Sequence, residues 1–305
     1  MSCTLIAGIH GGLGNQLFCF ANAYSLARKN SATFVLDTQS SYHKGNKYNA
    51  RCMLGHFHAD WQEATGFQRF IRSRARKHKD IKIILRLLKK NNYIFLLEKK
   101  SKSKYTDYNE SVENLYLDYK NIYVNGLWQC EKYFCEYGKD LRKIFKIKTP
   151  VTKNNLEILK EISAFNSVAI HARNIPDLPH ISVSNYSRQK LRYEEYYRKA
   201  INIVLNEVSN PHFYFFSDYH VWPEFIHKLP NINIVNWNND QEDGAIQDFN
   251  LMSQCKHFVI GPSTFSWWAA WLGESERSIV CAPSNYKYQY SNNKSVLPER
   301  WISLE

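Results

Sequence analysis

Residues Asp248–Leu272 read DFNLMSQCKHFVIGPSTFSWWAAWL. DFNLMSQC carries a helical pattern, HFVIG is a short buried strand, and TFSWWAAWL is helical again. The same kind of strand recurs through the second half of the chain as SVAIH, HFYFFS, INIVN and SIVCA, with the helical patterns YEEYYRKAINIVLNEV and VWPEFIHKL between them. A repeated strand–helix order with strands this apolar predicts a parallel sheet covered by helices on both faces.

The first half opens the same way. TLIAGIH predicts a strand, GGLGN a turn, and QLFCFANAYSLARKN a helix with Leu17, Phe20, Ala21, Tyr24, Leu26 and Ala27 at helical spacing. ATFVLD predicts the next strand, which completes a βαβ start. The middle is less regular. Arg69 to Lys100 alternates basic and aliphatic residues, with Ile81, Ile84, Leu85 and Leu88 on one helical face. NIYVNG predicts a strand, and LWQCEKYFCEYGKDLRKIF the helix after it. Pro150 begins a new stretch, so the 305 residues divide into domains of 1–150 and 151–305.

Aromatic residues make up 15% of the chain, which fits carbohydrate binding and an ordinary core equally well. The formal charge is +12, but Arg69–Lys90 holds ten Lys or Arg against one acid, Asp80, so +9 of it is local. No base-stacking or groove-reading motif accompanies that charge, which argues against a nucleic-acid partner. The basic stretch has two readings: peripheral contact with an anionic membrane, or a solvated helix packed on the N-terminal domain. Seven cysteines without a CxxC give neither a zinc site nor a disulfide framework. Free thiols, the lack of a signal-peptide pattern and the lack of a long apolar run predict a cytoplasmic protein.

Ligands of parallel α/β sheets bind beyond the carboxyl ends of the strands. Three such ends here are polar: His171 and Arg173, Ser217 and Asp218, and Pro262, Ser263 and Thr264. Arg173 can fork onto phosphate oxygens. Ser263, Thr264 and Ser266, at a helix start, suit an anion through hydroxyls and free N–H groups, although Ser263 or Thr264 can equally serve as a plain helix cap. Gly11–Gln16, GGLGNQ, is a glycine loop without the GxGxxG spacing, and there is no GKS or GKT. No DxD triplet supplies paired oxygen ligands, so a diphosphate would be neutralised here without a metal.

HGGLGNQLFCFANAYSLA, VNGLWQCEKYF and DFNLMSQCKHFVIGPSTFSWWAAWL, in that order, resemble the bacterial alpha-1,2-fucosyltransferases of glycosyltransferase family 11 over nearly the whole chain. The resemblance implies a GT-B-like α/β architecture, with two Rossmann-like domains facing a cleft. Residues 1–150 would be the acceptor side, with the basic helical insertion, and 151–305 would hold the GDP-sugar. It also implies inverting, metal-independent transfer of L-fucose from GDP-β-L-fucose to the 2-hydroxyl of a terminal galactoside, in an acceptor that peripheral membrane contact would allow to be lipid-linked. No cofactor beyond the donor substrate is implied.

In that reading His171, Arg173, Gly12, Gly14, Asn15, Asp218, Ser263, Thr264 and Ser266 hold the donor, and Arg173 and Asp177 are catalytic. The family pattern H-x-R-R-G-D-Y appears here as HARNIPD: Asn174 replaces the second arginine, and Asp177 lies one place after the position of the family acid. This departure keeps two alternatives open, a transferase of another GDP-sugar and a decayed GDP-sugar-binding protein. Asp177 leads the candidates for the general base, before His10, Glu242, Asp243 and Asp248. Trp267 and Trp271 share a helical face and read as packing, with Trp268 nearer a ligand; Trp128 and Gln129 line the acceptor side.

Overall fold

The computed structural model describes residues 3–42, 51–77, 93–98, 108–113, 120–172, 183–217, 224–239, 241–284 and 296–305. The chain forms two compact units, Met1–Lys148 and Thr149–Glu305.

The first unit begins with β1 (Thr4–Gly8), α1 (Leu13–Lys29) and β2 (Thr33–Asp37). It continues through β3 (Gln62–Glu63), α2 (Gly66–Lys77), β4 (Tyr93–Leu97), α3 (Glu110–Glu113), β5 (Asn121–Asn125) and α4 (Gly138–Ile144). The sheet runs β3-β2-β1-β5-β4, all parallel, so the strand order reverses between β1 and β5. Leu5 and Ile6 of β1 are fully buried, as a central strand covered on both faces requires. Ile6 packs with Val35, Ala64, Ile71 and Tyr123, while α1 buries Leu17, Phe18, Phe20 and Ala21.

Tyr93–Leu97, to which the sequence reading assigned no element, is a strand paired in register with β5. Its YIFLL run is rich in aromatic and branched residues that suit a half-buried pleat. The expected helix from Leu127 onward is absent: single 3-10 turns at Glu131–Tyr133 and Cys135–Tyr137 precede α4. The cause is local, because Trp128 has φ of 51°, which no right-handed helix accommodates. The amphipathic face at Ile81–Leu88 lies outside the described residues.

The second unit contains α5 (Lys153–Ala164), β6 (Asn166–Ala172), α6 (Val183–Glu207), β7 (Pro211–Ser217), α7 (Glu224–His227) and β8 (Ile232–Val235). It ends with α8 (Gly244–Ser253), β9 (His257–Ile260), α9 (Thr264–Gly273), β10 (Val280–Pro283) and β11 (Ile302–Leu304). The order β11-β10-β9-β6-β7-β8 is all parallel. Counted from β6, this is the doubly wound 3-2-1-4-5-6 arrangement, with its reversal between β6 and β9. Val168, Ile170, Phe213, Phe215 and Val259 face Tyr193, Tyr196, Tyr197, Ala200, Ile201 and Val204 across one core.

Trp267, Trp268 and Trp271 are all buried, Trp268 no less than the others. The Trp267 and Trp271 rings lie 6.3 Å apart and nearly parallel, and Trp267 Nε1 donates to the Val296 carbonyl at 2.9 Å. The cluster is core packing, and the expectation of a more accessible Trp268 does not hold.

Candidate active site

Each unit carries polar residues where its strand order reverses. In the first, β1 runs through Gly8, Ile9 and His10 into Gly11, which has φ of 78° and so needs glycine, then into the exposed Gly12 at the start of α1. Glycine offers no side-chain cap. The first intrahelical bond runs from the Gln16 N–H to the Gly12 carbonyl at 3.1 Å, so the N–H groups of Leu13, Gly14 and Asn15 have no acceptor within the helix. The dipole adds partial positive charge at the same place.

Gln16, fully buried, locks the loop. Its Nε2 donates to the Gly11 carbonyl at 3.0 Å and the Arg51 carbonyl at 2.8 Å, and its Oε1 accepts from the Met53 N–H at 2.8 Å. Tyr42 adds a hydroxyl donation to the Gly11 carbonyl at 3.2 Å. Asn15 is half-buried, and its Oδ1 accepts from Gln129 Nε2 at 2.8 Å. Gln129 is thus spent on Asn15 rather than turned toward solvent.

Beside this loop, Arg72 and Asp37 form a buried ion pair at 2.7 Å, and Arg72 Nη2 donates to Asn125 Oδ1 at 3.0 Å. Burial alone would push the Asp37 carboxyl up. Hydrogen bonds from Ser40 and the Arg72 guanidinium outweigh it and hold Asp37 below the usual carboxylate range. Arg72 belongs to the basic stretch, yet its charge is turned inward. The nearby Cys19 thiol is pushed up to about 12 by burial, so it remains a neutral donor to the Gly126 carbonyl.

In the second unit, His171 closes β6 and is nearly buried, with its ring 5.6 Å from that of Phe265. Its carbonyl accepts from Tyr197 Oη at 2.7 Å and from the Gly261 N–H at 2.9 Å. Tyr196 Oη bridges the Ile260 carbonyl at 2.7 Å and the Cys281 carbonyl at 2.9 Å. Tyr196 and Tyr197 of α6 therefore order the ends of β6, β9 and β10. The spacing of YEEYY was visible in the sequence, but that the phenols reach the strand ends was not.

The turn after β9 leads through Ser263 into α9. Ser263 is the residue before the helix, but its side chain makes no capping bond. The first intrahelical bond is Trp267 N–H to the Ser263 carbonyl at 3.0 Å, which leaves the N–H groups of Thr264, Phe265 and Ser266 without an acceptor in the helix. The Ser266 hydroxyl is fully buried and donates to the Gly261 and Ser263 carbonyls at 3.3 and 3.1 Å, so it shapes the turn from within. Ser217, at the end of β7, is nearly buried.

Among the other acids, Glu242 is exposed and Asp243 precedes α8 without capping it through its side chain. Asp248 differs: burial raises its carboxyl to about 6, against the lowering effect of the Asn238 amide, which donates to its Oδ1 at 2.7 Å. His10 Nδ1 lies 3.3 Å from the Gly8 carbonyl and 3.8 Å from Cys19 Sγ. Arg173, Asp177 and Asp218 lie outside the described residues. All seven cysteines are free thiols. Among the described residues no helix is long and apolar enough to cross a membrane.

The family model described as "Glycosyl transferase family 11" matches residues 4–305. The chain belongs to glycosyl transferase family 11. Two Escherichia coli proteins are similar to this member over their full length. The alpha-1,2-colitosyltransferase is 27% identical, covering 99% of each chain. The O-antigen biosynthesis glycosyltransferase WbnK is 30% identical, covering 97% of this chain and 99% of its own. Among solved structures, the NodZ alpha-1,6-fucosyltransferase soaked with GDP-fucose matches with a TM-score of 0.53 at 14% identity, over 89% of this chain and 93% of that one. FUT1 of Arabidopsis thaliana in complex with GDP matches at 0.52 and 12%, over 93% and 72%. The family-11 chain thus has the GT-B-like α/β fold of these fucosyltransferases, built from two Rossmann-like units, and is a glycosyltransferase.

Proposed function

We propose that the protein transfers L-fucose from GDP-β-L-fucose, with inversion and without a metal, to the 2-hydroxyl of a terminal galactoside in a glycan of the O-antigen type. The observation that carries this reading is the β6/β9 reversal, where His171 and the start of α9 meet in a chain matched end to end by the family. A diphosphate suits the free N–H groups of Thr264, Phe265 and Ser266, and the start of α1 offers groups of the same kind at Leu13, Gly14 and Asn15. His171, Gly12, Gly14, Asn15, Ser263, Thr264 and Ser266 are assigned to the donor site, with Arg173 on the diphosphate and Asp218 on the nucleoside.

The reaction is one displacement. The acceptor oxygen forms a bond to C1 of the sugar as the bond from C1 to the diphosphate oxygen breaks. The acceptor proton passes to a base, for which Asp177 is assigned, and GDP departs with the electron pair, its charge met by Arg173 and the α9 start. A second reading, transfer of another GDP-sugar, is favoured by the similarity to a colitosyltransferase. Residues 1–150 are assigned to the acceptor and 151–305 to the donor. We assign the protein to the cytoplasm, touching the anionic inner membrane through the basic stretch. Phe67 and Phe70, 63% and 54% exposed on α2, support that contact.

The test is GDP release from GDP-L-fucose and GDP-L-colitose, with EDTA present, across β-galactoside acceptors. Acceptor-dependent release with fucose, lost in Arg173→Ala, is the expected result. Turnover with colitose alone moves the assignment to that donor. Dependence on added divalent metal, or turnover in Arg173→Ala equal to the unaltered protein, overturns the mechanism.

A further inference from the structure

The turn between β5 and α4 is held with more force than a connection needs. Trp128 is 2% exposed and sits in the left-handed region that bulky residues rarely enter. Both oxygens of Glu98, just beyond β4, accept backbone N–H groups there, from Leu127 at 2.8 Å and Trp128 at 3.1 Å. The Cys130 N–H donates to the Trp128 carbonyl at 2.8 Å. Cys19 of α1 donates to the Gly126 carbonyl at 3.2 Å, and Arg72 of α2 holds the Asn125 side chain at 3.0 Å. A Cβ on Gly126 would come within 2.7 Å of the Trp128 indole nitrogen, so only glycine fits beneath the ring.

What this turn delivers is Gln129, itself only 9% exposed. Its Nε2 donates to Asn15 Oδ1 at 2.8 Å. Its own Oε1 is buried and accepts no hydrogen bond among the described residues. The amide therefore gives up a buried acceptor while keeping its donor on Asn15. With Oδ1 occupied, Asn15 has only Nδ2 left to offer, at the same helix start whose N–H groups suit an anion.

We propose that Gln129 is a positioning residue that fixes the polarity of the Asn15 amide, so that Asn15 presents an N–H donor, never a carbonyl, to the phosphate oxygens of the sugar-nucleotide. The inference rests on the donor-site reading given under Proposed function. A reversed Asn15 would turn a partial negative charge toward the diphosphate. The left-handed Trp128 and the carboxylate of Glu98 hold the backbone that places Gln129 beside Asn15.

A double-mutant cycle tests it on the full chain, with Gln129→Leu, Asn15→Ala and the pair. Calorimetric affinity for GDP, kcat and KM for donor, and Tm are read for each. Gln129→Leu is expected to lower donor kcat/KM by about tenfold or more, with acceptor KM unchanged. In the Asn15→Ala background the same change is expected to add less than about twofold, because Gln129 acts through Asn15. Gln129→Glu, which accepts from Asn15 and turns Oδ1 outward, is expected to be worse than Gln129→Leu. Losses that multiply in the double variant, or a Gln129→Leu that lowers Tm while GDP affinity and kcat/KM hold, overturn the positioning role. If the unaltered protein binds no GDP, the donor reading itself fails and takes the inference with it. If it binds GDP but Asn15→Ala binds and turns over equally well, the inference alone falls.

Discussion

In the first unit the strand ends beside the β1/β5 reversal are tied by charge: Arg72 spans Asp37 and Asn125, and Glu98 holds the turn that follows β5. In the second, the ends beside the β6/β9 reversal are tied by neutral phenols donating to the carbonyls of His171, Ile260 and Cys281. Both arrangements leave a helix start whose side chains do not cap it, α1 behind glycine and α9 behind Ser263. The same geometric outcome thus rests on charge in one unit and on hydroxyls in the other. The two should respond differently to substitution and to pH.

Arg72→Met should break this comparison hardest. It strands the buried Asp37 carboxylate without its guanidinium, which costs about 3–5 kcal/mol, read as a lower urea midpoint. Asp248→Asn should act in the opposite direction in the second unit. The Asp248 carboxyl is held up at about 6, against about 3.9 in an unfolded chain, so the fold disfavours its ionised form. The penalty is fully present above pH 6 and disappears as pH falls toward 4. Removing the charge should stabilise by about 2 kcal/mol at pH 7.5 and by nothing near pH 4, read as Tm across that range.

Asp37 has the reverse sign: its carboxyl is depressed, so its contribution is present above about pH 3.9 and is lost as pH falls through its lower folded value. Tyr197→Phe should cost about 1 kcal/mol with no pH dependence between 5 and 8, since one neutral hydrogen bond is removed. A comparable pH slope in Tyr197→Phe and Arg72→Met would erase the distinction between the two units. A stability loss of the same size, about 1 kcal/mol, is expected for Gly11→Ala, whose left-handed φ strains any side chain. Because the new Cβ would press on Asn15 Nδ2, donor turnover should fall further than stability does.

The sheet of the second unit was legible because its strands are short, apolar and regularly spaced. The glycine loop, the α9 start and the family were legible because runs such as GGLGNQ and PSTFSWW are contiguous in sequence. What the sequence hid was long-range. Glu98 reaches Leu127 and Trp128 across about thirty positions, and Gln129 reaches Asn15 across more than a hundred. No periodicity signals a left-handed tryptophan, so the helical pattern from Leu127 onward was misleading. Arg72 looked like one more cation in a basic run, and only packing shows its charge turned inward.

The tyrosines of α6 have a consequence for engineering. Tyr196 and Tyr197 fasten β6, β9 and β10 to one helix, through the carbonyls of His171, Ile260 and Cys281. Three strand ends fastened to a single helix move together with it. A chimera that takes α6 from a relative should therefore take β6, β9 and β10 with it, because the helix and the three strand ends are one joined part.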